Sequence, residues 1–199
     1  MTFTQHILLA SGNTGKLEEL RQLLSGYPFR VSAQSEFGVP AAAETGLTFI
    51  ENAILKARNA CHHSGLPAVA DDSGLEVDAL NGAPGVFSAR FAGANASDSD
   101  NNIHLLEALE PVPPEARTAR YHAYLVYLRH ARDPNPIVCH GVWEGRILQQ
   151  PQGQGGFGYD PLFWVESEQA SAAELPAERK NALSHRGQAL RRLVEQLAD

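Results

Sequence analysis

The chain has 199 residues, of which 43% are hydrophobic and 20% charged, values that exclude wholesale disorder and fit a single domain over residues 1–199. Its formal net charge of −7 argues against a surface that binds nucleic acid directly, which needs many Lys and Arg against phosphate, whereas a small phosphorylated ligand needs only a local cluster of cations. Two cysteines without zinc spacing, Cys61 and Cys139, read as buried thiols in a reducing compartment; the apolar stretch at residues 7–10 is too short for a signal peptide or a membrane span, so a cytoplasmic location is expected.

Residues 6–10 form a short β-rich run that leads into SGNTGK, residues 11–16, after which Leu17, Leu20, Leu23 and Leu24 recur at helical spacing. The reading is strand, polar loop, helix. Ser11, Asn13 and Thr14 supply polar side chains, Gly12 and Gly15 permit tight turns, Lys16 adds a positive charge, and the helix N-terminus favours an anion. The spacing is not that of a Walker A loop, so a P-loop kinase or ATPase is not supported; on spacing alone an ordinary capped connection explains the segment equally well. Further on, Thr48 stands three residues before Glu51, a capping box that opens a helix over residues 49–63. On that helix Asn52 and Lys56 share one face, while Phe49, Ala53, Ala57 and Ala60 supply packing.

Residues 68–93, AVADDSGLEVDALNGAPGVFSARFAG, are the part of the chain where chemistry is expected first. Residues 68–70 read as the end of a buried strand broken by Ser73-Gly74, which leaves Asp71 and Asp72 at a strand end, the usual ligand-facing position in open α/β sheets. Two readings of the paired acids stay open: a solvated turn, or a carboxylate that holds a divalent cation and polarises water. A second strand is expected at residues 75–79, with Leu75, Val77 and Ala79 on one face, and turns at Asn81-Gly82 and Pro84-Gly85.

Residues 97–109 carry a capped helix with Ile103, Leu106 and Leu109 at helical intervals, ended by Pro111, Pro113 and Pro114. Residues 119–130 read as a strand and residues 137–148 as one or two more, with Gly141 and Gly145 at turns and Asp133-Pro134-Asn135-Pro136 as the connection. His122, His130 and His140 lack metal spacing and read as sheet-face histidines. In GQGGFGYDPLFW, residues 153–164, the glycines allow close backbone approach and Phe157 and Tyr159 offer aromatic faces for a base. The last helix, residues 184–198, buries Leu190, Leu193, Val194 and Leu197 and has His185 and Arg186 in its first turn, where cations oppose the helix dipole and point to an anionic or carbonyl-bearing neighbour.

Taken together, SGNTGK, TFIENAILKA, ADDSGLEVDALNGAPGVFSARFAG, GGFGYDPLFW and LSHRGQAL resemble the inosine triphosphatase family, the RdgB/HAM1 nucleoside triphosphate pyrophosphatases, from the first strand to the last helix. The resemblance implies an α/β fold, an elongated mixed sheet in two lobes with a central active-site cleft, and a homodimer. It implies a nucleoside triphosphate substrate, XTP, dITP or ITP, cleaved to the monophosphate and pyrophosphate, and Mg²⁺ as cofactor. It makes Ser11, Gly12, Asn13, Thr14, Gly15 and Lys16 a phosphate-binding loop with Lys56 as a second phosphate contact. Asp72 becomes the proton acceptor and a metal ligand, Glu44 a Mg²⁺-associated acid, and Ser73 a substrate contact. Phe157, Gly158, Tyr159, Asp160, Lys180, His185 and Arg186 match the nucleoside pocket. Close bacterial relatives tend to have an acid where this chain has Ala43.

Overall fold

The computed structural model describes residues 5–198. In chain order the elements are β1 (Gln5–Leu9), α1 (Thr14–Leu23), β2 (Phe29–Ala33), α2 (Phe49–Ser64), β3 (Ala68–Val77), α3 (Asp98–Ala108), β4 (Thr118–Leu128), β5 (Ile137–Ile147), β6 (Phe163–Val165), β7 (Ala170–Ser171), α4 (Ala177–Leu183) and α5 (His185–Ala198). The strands form a mixed seven-stranded sheet in the order β2-β1-β3-β4-β5-β6-β7. The fold is thus α/β with a mixed sheet, as the sequence led us to expect. Residue contacts divide it into two compact units: Met1–Asp72, Ala123–His140 and Gln188–Asp199 form the first, and Ser73–His122 and Gly141–Gly187 the second.

In the first unit β1 lies between β2 and β3 and is parallel to both. Parallel strands covered on both faces read as continuous apolar runs, and ILLA at residues 7–10 and AVA at residues 68–70 do so. Successive side chains then separate to opposite faces. Ile7, Leu9, Val69, Leu125 and Tyr127 pack with Leu17 and Leu20 of α1 and with Leu190, Leu193 and Val194 of α5. Their neighbours Leu8, Ala68, Ala70, Val126 and Leu128 pack with Ala53, Ala57, Ala60 and Cys61 of α2. Helix α2 starts where expected: Thr48 Oγ1 accepts from the Glu51 N–H at 3.3 Å, and Glu51 Oε2 accepts from the Thr48 N–H at 2.9 Å. Both cysteines are buried free thiols.

The second unit has its own core, in which Leu75 and Val77 of β3 meet Leu105 of α3, Tyr121 of β4, Trp143 of β5 and Phe163 of β6. Ser97 and Asp100 form the capping box that begins α3. The buried Arg117 guanidinium closes its other end by donating to the carbonyls of Leu109 and Val112 at 2.8 and 3.0 Å.

Several expectations change. Ser73-Gly74 does not break the strand: β3 runs unbroken from Ala68 to Val77, so Asp71 and Asp72 lie inside it, and Ala79 falls in a short 3₁₀ turn instead of a second strand. Gly141 and Gly145 lie inside β5, not at turns. At Gly145 the reason is close approach, since a Cβ would stand 2.5 Å from the Trp164 carbonyl oxygen and 2.6 Å from the Phe163 ring. Ile103 is 54% exposed, and Leu105 fills the buried position on α3. His122, 3.2 Å from Glu76, and His140, stacked on Tyr124 at 4.1 Å, do lie along strands, whereas His130 sits exposed beyond the end of β4. Strands β2, β6 and β7 and helix α4 carry no pattern long enough to have marked them.

Gly145→Ala is expected to destabilise the fold by about 2 kcal/mol, because backbone and a buried ring must move together. Urea unfolding followed by circular dichroism checks this. An unchanged midpoint would show that β5 and β6 approach less closely than described.

Candidate functional site

The side-chain period of β3 explains how two adjacent acids are used. Val69 faces α1 and Ala70 faces α2, so by alternation Asp71 falls on the α1 side and Asp72 on the α2 side. Each meets the lysine of the helix that covers it. Lys16 Nζ of α1 lies 3.3 Å from Asp71 Oδ2, and Lys56 Nζ of α2 lies 2.5 Å from Asp72 Oδ1. The Lys56 ammonium also donates to the Asp71 carbonyl oxygen at 2.8 Å and to Glu44 Oε1 at 3.2 Å. Glu44 comes from a loop that α2 fastens by side chains about two turns apart: Asn52 Oδ1 accepts from the Gly46 N–H at 2.8 Å, and Asn59 Nδ2 donates to the Pro40 carbonyl at 2.8 Å.

Ser11, Gly12, Lys16, Lys56, Glu44 and Asp71, together with Gln34, line a cavity of about 270 Å³. At its edge Ser11 Oγ accepts from the Asn13 N–H at 3.1 Å, and Asn13 Oδ1 accepts from the Lys16 N–H at 3.2 Å, which makes Asn13 the cap of α1. Thr14, Gly15 and Lys16 therefore form the first helical turn instead of a loop. That turn contains no acidic residue, so its dipole favours an anion.

Burial pushes the Asp72 carboxyl above its ordinary pKa, more than the Lys56 ammonium beside it pulls it down, and Glu44 and Asp71 add to the rise. For Lys56 burial works the other way, but Asp72, Glu44 and Asp71 outweigh it and hold the ammonium above its ordinary range. The result is a carboxylate kept more basic than usual beside a permanently charged lysine. Glu44 and Asp72 both direct an oxygen at one cationic nitrogen, an arrangement of hard oxygen donors that suits Mg²⁺ completed by phosphate oxygens and water. Among the described residues no group of three or more acidic, histidine or cysteine side chains is gathered closely enough to hold a metal without such added ligands.

The remaining candidates lie in the second unit. Asp160, 4% exposed, accepts from the Phe157 N–H at 2.8 Å and from Lys180 Nζ at 2.5 Å. Gly156 must be glycine here, because its φ is +74° and a Cβ would run into Asp160 Oδ2. The Phe157 ring is 47% exposed, with Lys180 Nζ 4.8 Å and the Arg186 guanidinium 5.5 Å from its centre. Arg186 Nη2 donates to Ser73 Oγ at 3.2 Å. His185 is buried and stacks on Tyr121 at 4.7 Å, nearly parallel. Tyr159 corrects an expectation: it is 3% exposed, belongs to the core, and donates its hydroxyl to the Ser88 carbonyl at 2.8 Å. A ring enclosed in this way offers no face to a base, and Phe157 remains as the exposed aromatic of the loop.

Sequence reasoning missed Gln34 and the partner of Asp71, an acid it had already singled out. Gln34 lies on the cavity wall from a 3₁₀ turn with no motif. Asp71 joins the charge network through Lys16, a signal present in the strand period once β3 is known to be unbroken.

The model of the Ham1 family matches residues 7–196. The chain belongs to that family. It is 60% identical over 193 residues to the dITP/XTP pyrophosphatase of Vibrio cholerae, covering 97% of this chain and 96% of the relative, and 59% identical over 193 residues to that of Shigella flexneri, covering 97% and 98%. Among solved structures, a HAM1 protein from Coxiella burnetii superposes with a TM-score of 0.93 at 52% identity, covering 97% of this chain and 98% of that one. The Ham1 protein of Staphylococcus aureus gives 0.87 at 38%, with the same coverage. The resemblance noted in the sequence and this membership are the same family, and the mixed α/β fold is that of its solved members.

Lys56→Met is expected to lower stability by about 2 kcal/mol, since it leaves largely buried acids without their cation. Arg179→Met, which removes an exposed partner of Glu168, is expected to change stability by less than about 0.5 kcal/mol. Parallel urea titrations measure both. Equal effects would mean that Lys56 is not the centre of the charge network.

Proposed function

We propose that this chain is a house-cleaning nucleoside triphosphate pyrophosphatase that hydrolyses deaminated purine nucleotides, dITP, XTP and ITP, at the α-phosphorus to the monophosphate and pyrophosphate, keeping them out of DNA and RNA. The observation that carries the reading is the identity of about 60%, over nearly the whole chain, to dITP/XTP pyrophosphatases. The charge network supports it, because a triphosphate needs cations and an in-line water needs a base.

In this reading Ser11, Gly12, Asn13, Thr14, Gly15 and Lys16 bind the phosphates through backbone N–H groups at the start of α1 and the Lys16 ammonium, with Lys56 as a second cation. Asp72 accepts the proton of the attacking water, and its raised pKa brings it nearer to the working pH of a general base. Glu44 and Asp72 are the residues that would hold Mg²⁺. When bound, the ion supplies charge neutralisation at the phosphates and polarises the nucleophilic water.

The base is assigned to Phe157, which stacks on it, with Lys180 and Asp160 holding the loop and Ser73 holding Arg186. Hypoxanthine and xanthine carry a carbonyl at C6 where adenine carries an amino group. Donors from His185, Arg186 or the backbone aimed at O6 would face adenine donor against donor, and such polar pairing discriminates by ~10⁴ or more. Guanine shares O6, so its rejection rests on its 2-amino group. This reading takes the enzyme to be a cytoplasmic homodimer. Among the described residues no helix is long and apolar enough to cross a membrane.

The test is pyrophosphate release by the purified chain with Mg²⁺, comparing dITP, ITP and XTP with dATP, dGTP and dTTP, and with EDTA as control. Fast release from the deaminated purines, lost with EDTA, is expected. Asp72→Asn is expected to fold normally and lose at least about 10²-fold in turnover. Release confined to dATP or dTTP would overturn the substrate, and a folded Asp72→Asn chain with normal turnover would overturn the base.

A further inference from the structure

Both backbone polar groups of Gly158 are held by side chains of α3. The Gly158 N–H donates to Asp98 Oδ2 at 2.6 Å, and its carbonyl accepts from Asn102 Nδ2 at 2.8 Å. Asn102 Nδ2 also donates to the Asp98 carbonyl at 2.7 Å, so two carbonyl oxygens face one amide nitrogen and fix which way the side chain points. Its own oxygen is buried with no hydrogen-bond partner among the described residues. A buried acceptor left unmade is costly, so the amide is oriented for the sake of the nitrogen's two bonds. Asp98 and Asn102 stand one turn apart at the start of α3, and the Ser97–Asp100 capping box sets where that turn begins.

Gly158 follows Phe157, the exposed ring flanked by Lys180 and Arg186. The Phe157 N–H is already taken by Asp160. The ring is thus bracketed on both sides along the chain, by Asp160 before it and by α3 after it. A glycine-rich segment would otherwise sample many conformations, and ordering it at the moment of binding would weaken affinity.

We propose that Asp98 and Asn102 are positioning residues that hold Gly158, and through it hold the Phe157 ring ready to stack on the purine base. The inference rests on the nucleotide reading above. Neither side chain touches the nucleotide in this account; each acts through the Phe157 backbone.

Asp98→Ala and Asn102→Ala test it, with steady-state kinetics on dITP, calorimetric binding of dIMP, and hydrogen exchange at the Gly158 amide. Each variant is expected to raise the KM for dITP and weaken dIMP binding about tenfold, to leave kcat within about threefold, and to speed Gly158 exchange. Asp98→Asn keeps an acceptor oxygen and is expected to stay near the parent. The double variant is expected to lose less than the product of the single losses, because both side chains hold one residue. Faster Gly158 exchange with unchanged KM and dIMP affinity would overturn the inference, as would a fall in kcat at constant KM. A parent chain that neither releases pyrophosphate nor binds dIMP would overturn the nucleotide reading and the inference together; an active parent with indifferent variants overturns the inference alone.

Discussion

The Lys56 ammonium is the point on which the first unit's chemistry depends. It is shared by Asp72, Glu44 and the Asp71 carbonyl, and without it the buried Asp72 carboxylate would lose the cation in contact with it, in a setting where uncompensated charge is expensive. The arrangement follows from two periods. The two-residue period of β3 turns Asp71 and Asp72 to opposite faces, and the helical period of α2 sets Asn52, Lys56 and Asn59 in one stripe, so that a single helix face positions the Glu44 loop and the lysine that meets Asp72. Lys16 repeats the pattern on the other face with Asp71. Both lysines are held by carboxylates at the wall of a cavity that α1 opens with an acid-free first turn, and a polyphosphate entering there would compete for the same cations.

The second unit handles a different chemistry with a different device. Its polar side chains hold aromatic ones: Asp160 fixes the Phe157 N–H and Lys180, Ser73 accepts from Arg186, and Tyr121 stacks on His185. Asp72 and Ser73 are consecutive residues of β3, the first belonging to one unit and the second to the other.

Much of this was legible in the sequence because the governing signals were local. Thr48 and Glu51 mark the start of α2, Ser97 marks the start of α3, and the continuous apolar runs mark the parallel strands. The motifs around Lys16, Asp72, Phe157 and His185 together pointed to the family. The strand misreadings share a cause: glycine was taken as punctuation where it lies inside a strand. A side chain at Gly145 would run into β6, and Ser73-Gly74 lies within the unbroken β3. Tyr159 was given a face it does not expose, since one-dimensional spacing cannot separate the ring that anchors a loop from the ring that the loop presents. The clamp of Asp98 and Asn102 on Gly158 joins residues about sixty positions apart, and no local pattern encodes it.

The central claim is that water attacks the α-phosphorus with Asp72 as its base, so that pyrophosphate leaves intact. Turnover of dITP in ¹⁸O-labelled water, with both products analysed by mass spectrometry, tests it most directly. The account predicts one labelled oxygen in the nucleoside monophosphate and none in the pyrophosphate. Label in the pyrophosphate, or release of labelled orthophosphate, would place the attack at another phosphorus and contradict it.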